Sequence, residues 1–227
     1  MADKLERRSL IRMTYKRFHR PSTDLFFIIG KPETKYHERL VRFENETYGD
    51  LLVLPTKENM DNGKTYSYFK HIYDSGFPHG FFIKMDDDVY ANISSIETRV
   101  DAFENDKFVY FGKWWQTGFM VGMGYGLSRA LVEYIATDDL PRNKQEGQED
   151  GVTSFWIHQF EESRGIKVNR VSWNEYYDHP QSGGGWAHAF TQDALLVHRC
   201  KEREKFIDSA DYYIHDRKVK REGDSLN

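Results

Sequence analysis

Three consecutive carboxylates, Asp86, Asp87 and Asp88, close the apolar run Phe81-Phe82-Ile83-Lys84-Met85. That run reads as a strand, and alternate side chains of extended chain share a face, so Asp86 and Asp88 project one way and Asp87 the other. Two hard oxygen donors then converge, as an Mg²⁺ or Mn²⁺ site requires. An ion with open positions there can take diphosphate oxygens and neutralise their charge. Two other readings compete. One is a solvated acidic turn; the other is an aspartyl-phosphatase-type nucleophile, which asks for Thr or Val two residues past the second Asp, where this chain has Tyr90. Lys84 suits a phosphate or a neighbouring carboxylate equally.

Three further groups carry chemistry. Gln148-Glu149-Asp150-Gly151 stands at the start of a helical pattern, where the helix dipole favours an ionised carboxylate; a capping acid and a general base in a cleft share that local chemistry. Arg8 and Arg12 fall on one helix face at i, i+4, suited to phosphate recognition or to an ordinary basic surface. His198 ends the apolar run Leu195-Leu196-Val197. It serves either as a structural residue or, if its strand lies beside Asp88, as a further ligand.

The elements that must position these groups alternate. Residues 5–18 pattern as an amphipathic helix, with Ile11, Tyr15 and Phe18 on one side. A strand over 24–29 follows, apolar on both faces as in a covered central strand, ended by Gly30 and Pro32. Next come a helix over 36–47, a strand over 50–54, a helix over 66–73 and the strand 81–85. After the carboxylates the pattern gives a helix over 92–103, a strand over 108–111, a Gly-rich run (Gly118, Gly122, Gly124, Gly126), a helix over 128–135, a polar loop over 138–149, a helix over 151–163 and a strand over 168–171. A mobile loop is expected over 182–185, and the charged tail from Lys201 is expected to be peripheral. Strands alternating with helices imply an α/β fold, and ligands of open α/β sheets bind at the carboxyl ends of the strands.

Composition narrows the functions. With 227 residues the chain reads as one domain, 1–227, with a core over about 7–200. Lys+Arg 32 against Asp+Glu 36 gives a net charge of −4, which favours neither nucleic acid nor an anionic membrane surface as partner. The longest apolar run, Leu25–Ile29, falls far short of the roughly 20 residues of a membrane-spanning helix. Cys200 is the single cysteine, which excludes an internal disulfide and a CxxC metal or redox site.

In order and spacing these pieces resemble the β-1,3-galactosyltransferase family, the inverting β-1,3-glycosyltransferases that include the Fringe and core-1 enzymes. Arg7-Arg8-x-x-Ile11-Arg12-x-Thr14-Tyr15 is similar to the family's RRxxIRxTW, and Phe26-Phe27-Ile28-Ile29-Gly30 to its FLLG strand. Glu46-Thr47-Tyr48-Gly49-Asp50-Leu51-Leu52 resembles ExxxYGDIL, with Glu44 as the alternative match for the Glu. Lys84-Met85-Asp86-Asp87-Asp88-Val89-Tyr90-Ala91-Asn92 resembles KxDDDvfvN; Gly122-Met123-Gly124-Tyr125-Gly126-Leu127-Ser128 resembles the GxGYvlS turn. Glu149-Asp150 corresponds to EDV, with Gly151 placed before Val152, and Val197-His198 to the late metal-binding histidine. The combination spans about Arg7 to Lys201 and is more specific than any one motif.

The resemblance implies a GT-A type fold, a single Rossmann-like domain with a mixed central sheet flanked by helices. It also implies a UDP-sugar donor, Mn²⁺ or Mg²⁺ as cofactor, and single displacement with inversion, transferring a hexose or N-acetylhexosamine to a glycan or glycoconjugate hydroxyl in β-1,3 linkage. Carried over, Asp86, Asp88 and His198 hold the metal, and Asp150 is the base. Arg8, Arg12, Lys84 and Asp87 face the donor, while Trp114, Trp115, Gly122, Gly124 and Glu149 face the acceptor. A Golgi or secretory-lumen address is implied too, although neither the family's signal anchor nor its disulfide framework is found in these residues. Two rival functions remain: a catalytically silent relative acting as a chaperone or sugar-binding module, and a metal-dependent phosphohydrolase.

Overall fold

The computed structural model describes residues 2–116 and 118–216. The central sheet has the order β3-β6-β5-β7, built from β3 (Phe81–Met85), β5 (Val109–Trp115), β6 (Phe119–Ser128) and β7 (Asn169–Ser172). Strand β6 runs antiparallel to both β3 and β5, and β7 is parallel to β5, so the sheet is mixed. Two smaller sheets flank it: a parallel pair, β1 (Phe27–Ile29) with β2 (Leu51–Val53), and a set ordered β4-β9-β8 from β4 (Tyr90–Ala91), β8 (Tyr176–Asp178) and β9 (Leu196–His198).

Helices cover both faces of the central sheet. On one side α3 (Lys64–Asp74), α5 (Arg129–Thr137) and α7 (Glu149–Arg164) bury Phe69, Leu131, Ile135, Trp156 and Ile157 against Phe82, Tyr110, Tyr125 and Leu127. On the other, α1 (Leu5–Thr14), α4 (Ile93–Asp101) and α8 (Arg203–Asp211) contribute Ile11, Ile93, Ile96, Phe206 and Ala210 to a cluster with Phe111, Trp173, Leu196 and Val197. The remaining helices are α2 (Lys35–Tyr48) and the short α6 (Asp139–Asn143). Helix α2 starts where the Thr34 hydroxyl accepts the His37 N–H and ends at Gly49 in the left-handed conformation, both common helix boundaries. The architecture is thus mixed α/β with a mixed central sheet and flanking helices, as expected.

Four expectations are corrected. The Gly-rich run is not a turn but most of β6, the longest strand. Its glycines clear room for side chains from elsewhere: a Cβ on Gly126 would lie 2.1 Å from Phe111 Cζ, and one on Gly124 would lie 2.6 Å from Leu196 Cδ1. The first strand is not a central one, since among the described residues β1 pairs with β2 alone. The expected polar loop 138–149 contains α6, whose first turn is capped by Asp138 accepting the Leu140 N–H. Finally, the charged tail is not peripheral over its first part: Phe206, Ala210, Tyr213 and Ile214 are core residues, so the core extends past 200; residues 217–227 lie outside those described.

Between β1 and β3 opens a cleft of about 950 Å³, bordered by α1, α3 and α4, with Asp86, Asp87, Asp88 and His198 on its wall.

Candidate functional site

The carboxylates sit where β3 leaves the central sheet and β4 begins, and two backbone bonds hold that exit. The Asp86 N–H donates to Met123 O on β6 at 3.3 Å, and the Asp88 carbonyl accepts the Cys200 N–H at 2.8 Å. Because β9 lies between β4 and β8, its last residue, His198, is delivered beside Asp88. One ligand atom from each of Asp86, Asp88 and His198 falls within 4.8 Å of the others. His198 Nε2 stands 3.6 Å from Asp88 Oδ1, too far for a hydrogen bond and suited to a shared cation. Two carboxylates and an imidazole form a donor set open to a divalent cation: the carboxylates suit Mn²⁺ and Mg²⁺, and the imidazole suits Zn²⁺ and Fe²⁺ as well. Asp88 is buried at 7% exposure; burial pushes its carboxyl above the usual range, His198 opposes this and Asp86 adds to it. Asp87 is exposed on the cleft wall.

Lys84 resolves toward carboxylates. Its ammonium has three donors, and it reaches Asp86 Oδ1 at 2.6 Å, Gly122 O at 2.7 Å and Glu149 Oε2 at 3.0 Å. Burial lowers its pKa, but Glu149 and Asp86 outweigh that and hold it above its usual value. With its donors so engaged, Lys84 braces Asp86. Glu149, expected on the acceptor side, is engaged by groups of its own chain. It is 5% exposed, it takes the Tyr125 hydroxyl on Oε1 and Lys84 on Oε2, and burial pushes its carboxyl up in spite of Lys84. Tyr125 also meets Thr153 Oγ1 at 3.0 Å, completing a buried network beneath the carboxylates.

Asp150 lies in the first turn of α7, where Oδ2 accepts the Gly122 N–H at 2.9 Å and Oδ1 accepts the Gly151 N–H at 2.8 Å. Its approach to Gly122 depends on an irregularity in the sheet. Gly112 pairs with Tyr125 but Trp114 pairs with Met120, so one β5 residue opposes 121–124 of β6. A bulge of this kind re-aims the backbone; a Cβ on Gly122 would stand 3.3 Å from Asp150 Oδ2. Gly124, by contrast, faces Leu196, so the space beside it is core and not an opening for a sugar.

The basic helix turns its guanidinium groups toward carboxylates of its own chain. Arg8, 3% exposed, bonds Glu44 through Nε at 2.8 Å and Nη2 at 2.6 Å. Arg12 bonds Glu44 at 2.6 Å and both oxygens of Asp50 at 2.9 and 2.8 Å, and Lys16 joins at Asp50. This cluster ties α1 to α2 and the start of β2; Arg8 still borders the cleft. Trp114 and Trp115 are each 38% exposed. Trp115 packs edge-on against Trp186, centroids 5.1 Å apart, with the Lys113 ammonium 5.3 Å from the Trp186 ring.

Sequence reading missed three groups at the site. Asp178, 1% exposed, accepts from His198 Nδ1 at 2.9 Å; a polar residue closing the Tyr176-Tyr177 run was its only local signal. Lys201, exposed on the cleft wall, lies near enough to Asp88 to oppose the rise in its pKa. Arg7 borders the same cleft; its Nη2 donates to the Lys201 carbonyl, while Nη1 is buried without a hydrogen-bond partner among the described residues.

The Galactosyltransferase family model matches residues 6–118, which takes in α1 through Asp86–Asp88. The β-1,3-galactosyltransferase pvg3 of Schizosaccharomyces pombe is 33% identical over 93 residues, covering 39% of this chain and 25% of that protein, so the match spans about a quarter of the relative's length. A solved structure, a glycosyltransferase involved in the glycosylation of the major capsid of PBCV-1, aligns with a TM-score of 0.45 at 16% identity over 81% of this chain and 99% of that one. Among the described residues no helix is long and apolar enough to cross a membrane.

Proposed function

We propose that the chain, similar over residues 6–118 to the Galactosyltransferase family and over part of its length to a β-1,3-galactosyltransferase, is an inverting, metal-dependent glycosyltransferase of GT-A type. It moves a hexose or N-acetylhexosamine from a UDP-sugar to a glycan hydroxyl in β-1,3 linkage, in a secretory-pathway lumen such as the Golgi. The observation that carries this reading is the convergence of Asp86, Asp88 and His198 on the wall of one cleft.

Asp86, Asp88 and His198 would hold a Mn²⁺, which would supply charge neutralisation to the diphosphate. The chain's own residues do the rest. Lys84, pinned by Glu149, keeps Asp86 in place. Arg7 and Lys201, rather than Arg12, offer the cleft's cationic contacts to the diphosphate. Each Asp150 oxygen accepts one backbone N–H and retains a second lone pair, so the carboxylate can take the acceptor hydroxyl's proton as that oxygen attacks the anomeric carbon and the bond to the diphosphate breaks. Trp115, exposed and packed edge-on against the half-buried Trp186, offers an aromatic ledge on which an acceptor sugar can stack; Trp114, exposed one residue earlier on β5, points to the opposite face of the strand.

The test is a calorimetric titration with UDP, in Mn²⁺ and then in EDTA, on the parent chain and on Asp88→Ala. The expected result is UDP binding that requires Mn²⁺ and is lost in the variant. Equal UDP binding by Asp88→Ala in Mn²⁺ would overturn the metal assignment. Absence of UDP binding under either condition would favour a catalytically silent relative, and acceptor-independent phosphate release would favour a phosphohydrolase.

A further inference from the structure

Asp178 ends β8 directly opposite His198 in the parallel register, and its carboxylate is 1% exposed. Burial of a charged group is costly without strong partners, and its partners lie on both sides. Oδ1 stands 2.9 Å from His198 Nδ1. Oδ2 accepts the Trp186 N–H at 3.3 Å and faces Arg199 Nε at 3.4 Å. The Asp178 N–H in turn donates to Trp186 O at 2.9 Å. The loop between them lies directly on the carboxylate: a Cβ on Gly184 would fall 2.0 Å from Oδ2. Arg199, the residue after the histidine, has φ 60°, a left-handed conformation that costs a non-glycine residue energy and persists only where its surroundings enforce it.

We propose that Asp178 is a positioning residue that fixes His198 in the Nδ1–H tautomer through one oxygen and anchors the Trp186 loop through the other. One buried carboxylate thereby sets both the metal-ligand geometry and the aromatic ledge. A carboxylate only accepts, so the proton of the neutral ring must sit on Nδ1, which leaves the Nε2 lone pair facing Asp88 and available to a cation. The same carboxylate cannot shift toward the histidine without releasing the Trp186 N–H. Trp186 packs on Trp115, so ligand-set order and ledge order are coupled, and coupling of this kind acts in both directions. The inference rests on the metal reading above only for the role of Nε2.

Two measurements test it. In the metal-free parent chain, ¹⁵N NMR of His198 should show Nδ1 protonated and Nε2 unprotonated; the opposite tautomer overturns the proposal, and this readout needs no variant. In Asp178→Asn the amide can accept on one side only, so either His198 or the loop loses its partner. Folded Asp178→Asn should bind Mn²⁺ in the presence of UDP about 10–100-fold more weakly, as loss of an outer partner to a ligating histidine does, or show faster hydrogen exchange at the Trp186 amide. Parent-like values for both overturn the proposal. A parent chain with the expected tautomer that binds no Mn²⁺ would refute the metal reading while leaving the positioning of His198 and the loop in force.

Discussion

Replacing Asp150 by Asn separates proton acceptance from helix capping, because the two roles carry different free energies. Both carboxylate oxygens are engaged by backbone N–H groups, Gly122 at 2.9 Å and Gly151 at 2.8 Å. Asparagine keeps one acceptor and turns the other into a donor, so one N–H is left facing an N–H. That loss costs about 1–3 kcal/mol, and removing the charge from the first turn of α7 adds about 0.3–1 kcal/mol. At about 2–4 °C per kcal/mol for a chain of this size, Tm should fall by roughly 3–16 °C. Proton acceptance is a separate quantity: loss of a general base lowers turnover by about 10²–10⁴, a barrier increase of about 3–5 kcal/mol. Asp150 is not one of the three converging ligands, so Mn²⁺-dependent UDP affinity should stay within about twofold of the parent. The assay pairs calorimetry with UDP-galactose turnover across a panel of galactoside acceptors, run well below the variant's Tm. A variant with lowered Tm but turnover within tenfold of the parent would refute the base assignment and leave Asp150 as a cap.

The Arg8–Glu44–Arg12–Asp50 cluster predicts an acid-sensitive fold. Burial raises the carboxyls of Glu44 and Asp50, but hydrogen bonds from Arg8, Arg12 and Lys16 outweigh it and hold them below their ordinary values of 4.5 and 3.8. A carboxyl depressed in the folded state gives stability that is complete above its unfolded value and is lost as pH falls through the folded one. Tm should therefore be flat from pH 7 to about 5 on account of these groups and drop below that; Glu44→Gln should flatten the drop and cost about 3–5 kcal/mol at neutral pH, and an unchanged slope would refute the cluster's role. Two glycine substitutions should move urea midpoints in opposite directions. Gly126→Ala drives a methyl into the Phe111 ring and should destabilise by about 1–3 kcal/mol or more. Gly151→Ala, in the first turn of α7 with nothing within 4 Å of the added atom, should stabilise by about 0.4–1 kcal/mol.

Much of the site was legible because its signals are local. A carboxylate cluster closing an apolar run, a histidine closing another and an acid at a helix start each announce themselves within a few residues. Two misreadings had local remedies. Phe206, Ala210, Tyr213 and Ile214 follow i, i+4, i+7, i+8, a helical stripe that the charged composition of the tail concealed. In β6 the glycines at 122, 124 and 126 hid the two-residue period carried by Tyr125 and Leu127; what demands Gly126 and Gly124, Phe111 and Leu196, arrives from other strands. Other facts were not in the local sequence at all. Arg8 and Glu44 are 36 positions apart, Lys84 and Glu149 are 65 apart (149 − 84), and only the closed fold makes them partners.

The same partnerships change how the cationic residues divide their work. Arg8, Arg12 and Lys84 look like phosphate ligands as residue types, yet each is matched to buried carboxylates of its own chain. Breaking such a pair leaves the other charge buried and uncompensated, at about 3–5 kcal/mol. A diphosphate would have to repay that cost to recruit any of them. Arg7 and Lys201 carry no such debt: Lys201 is exposed, and an Arg7 nitrogen is still without a hydrogen-bond partner among the described residues. Anion recognition in the cleft is therefore expected to depend on Arg7 and Lys201, while Arg8, Arg12 and Lys84 hold the elements around the cleft in place.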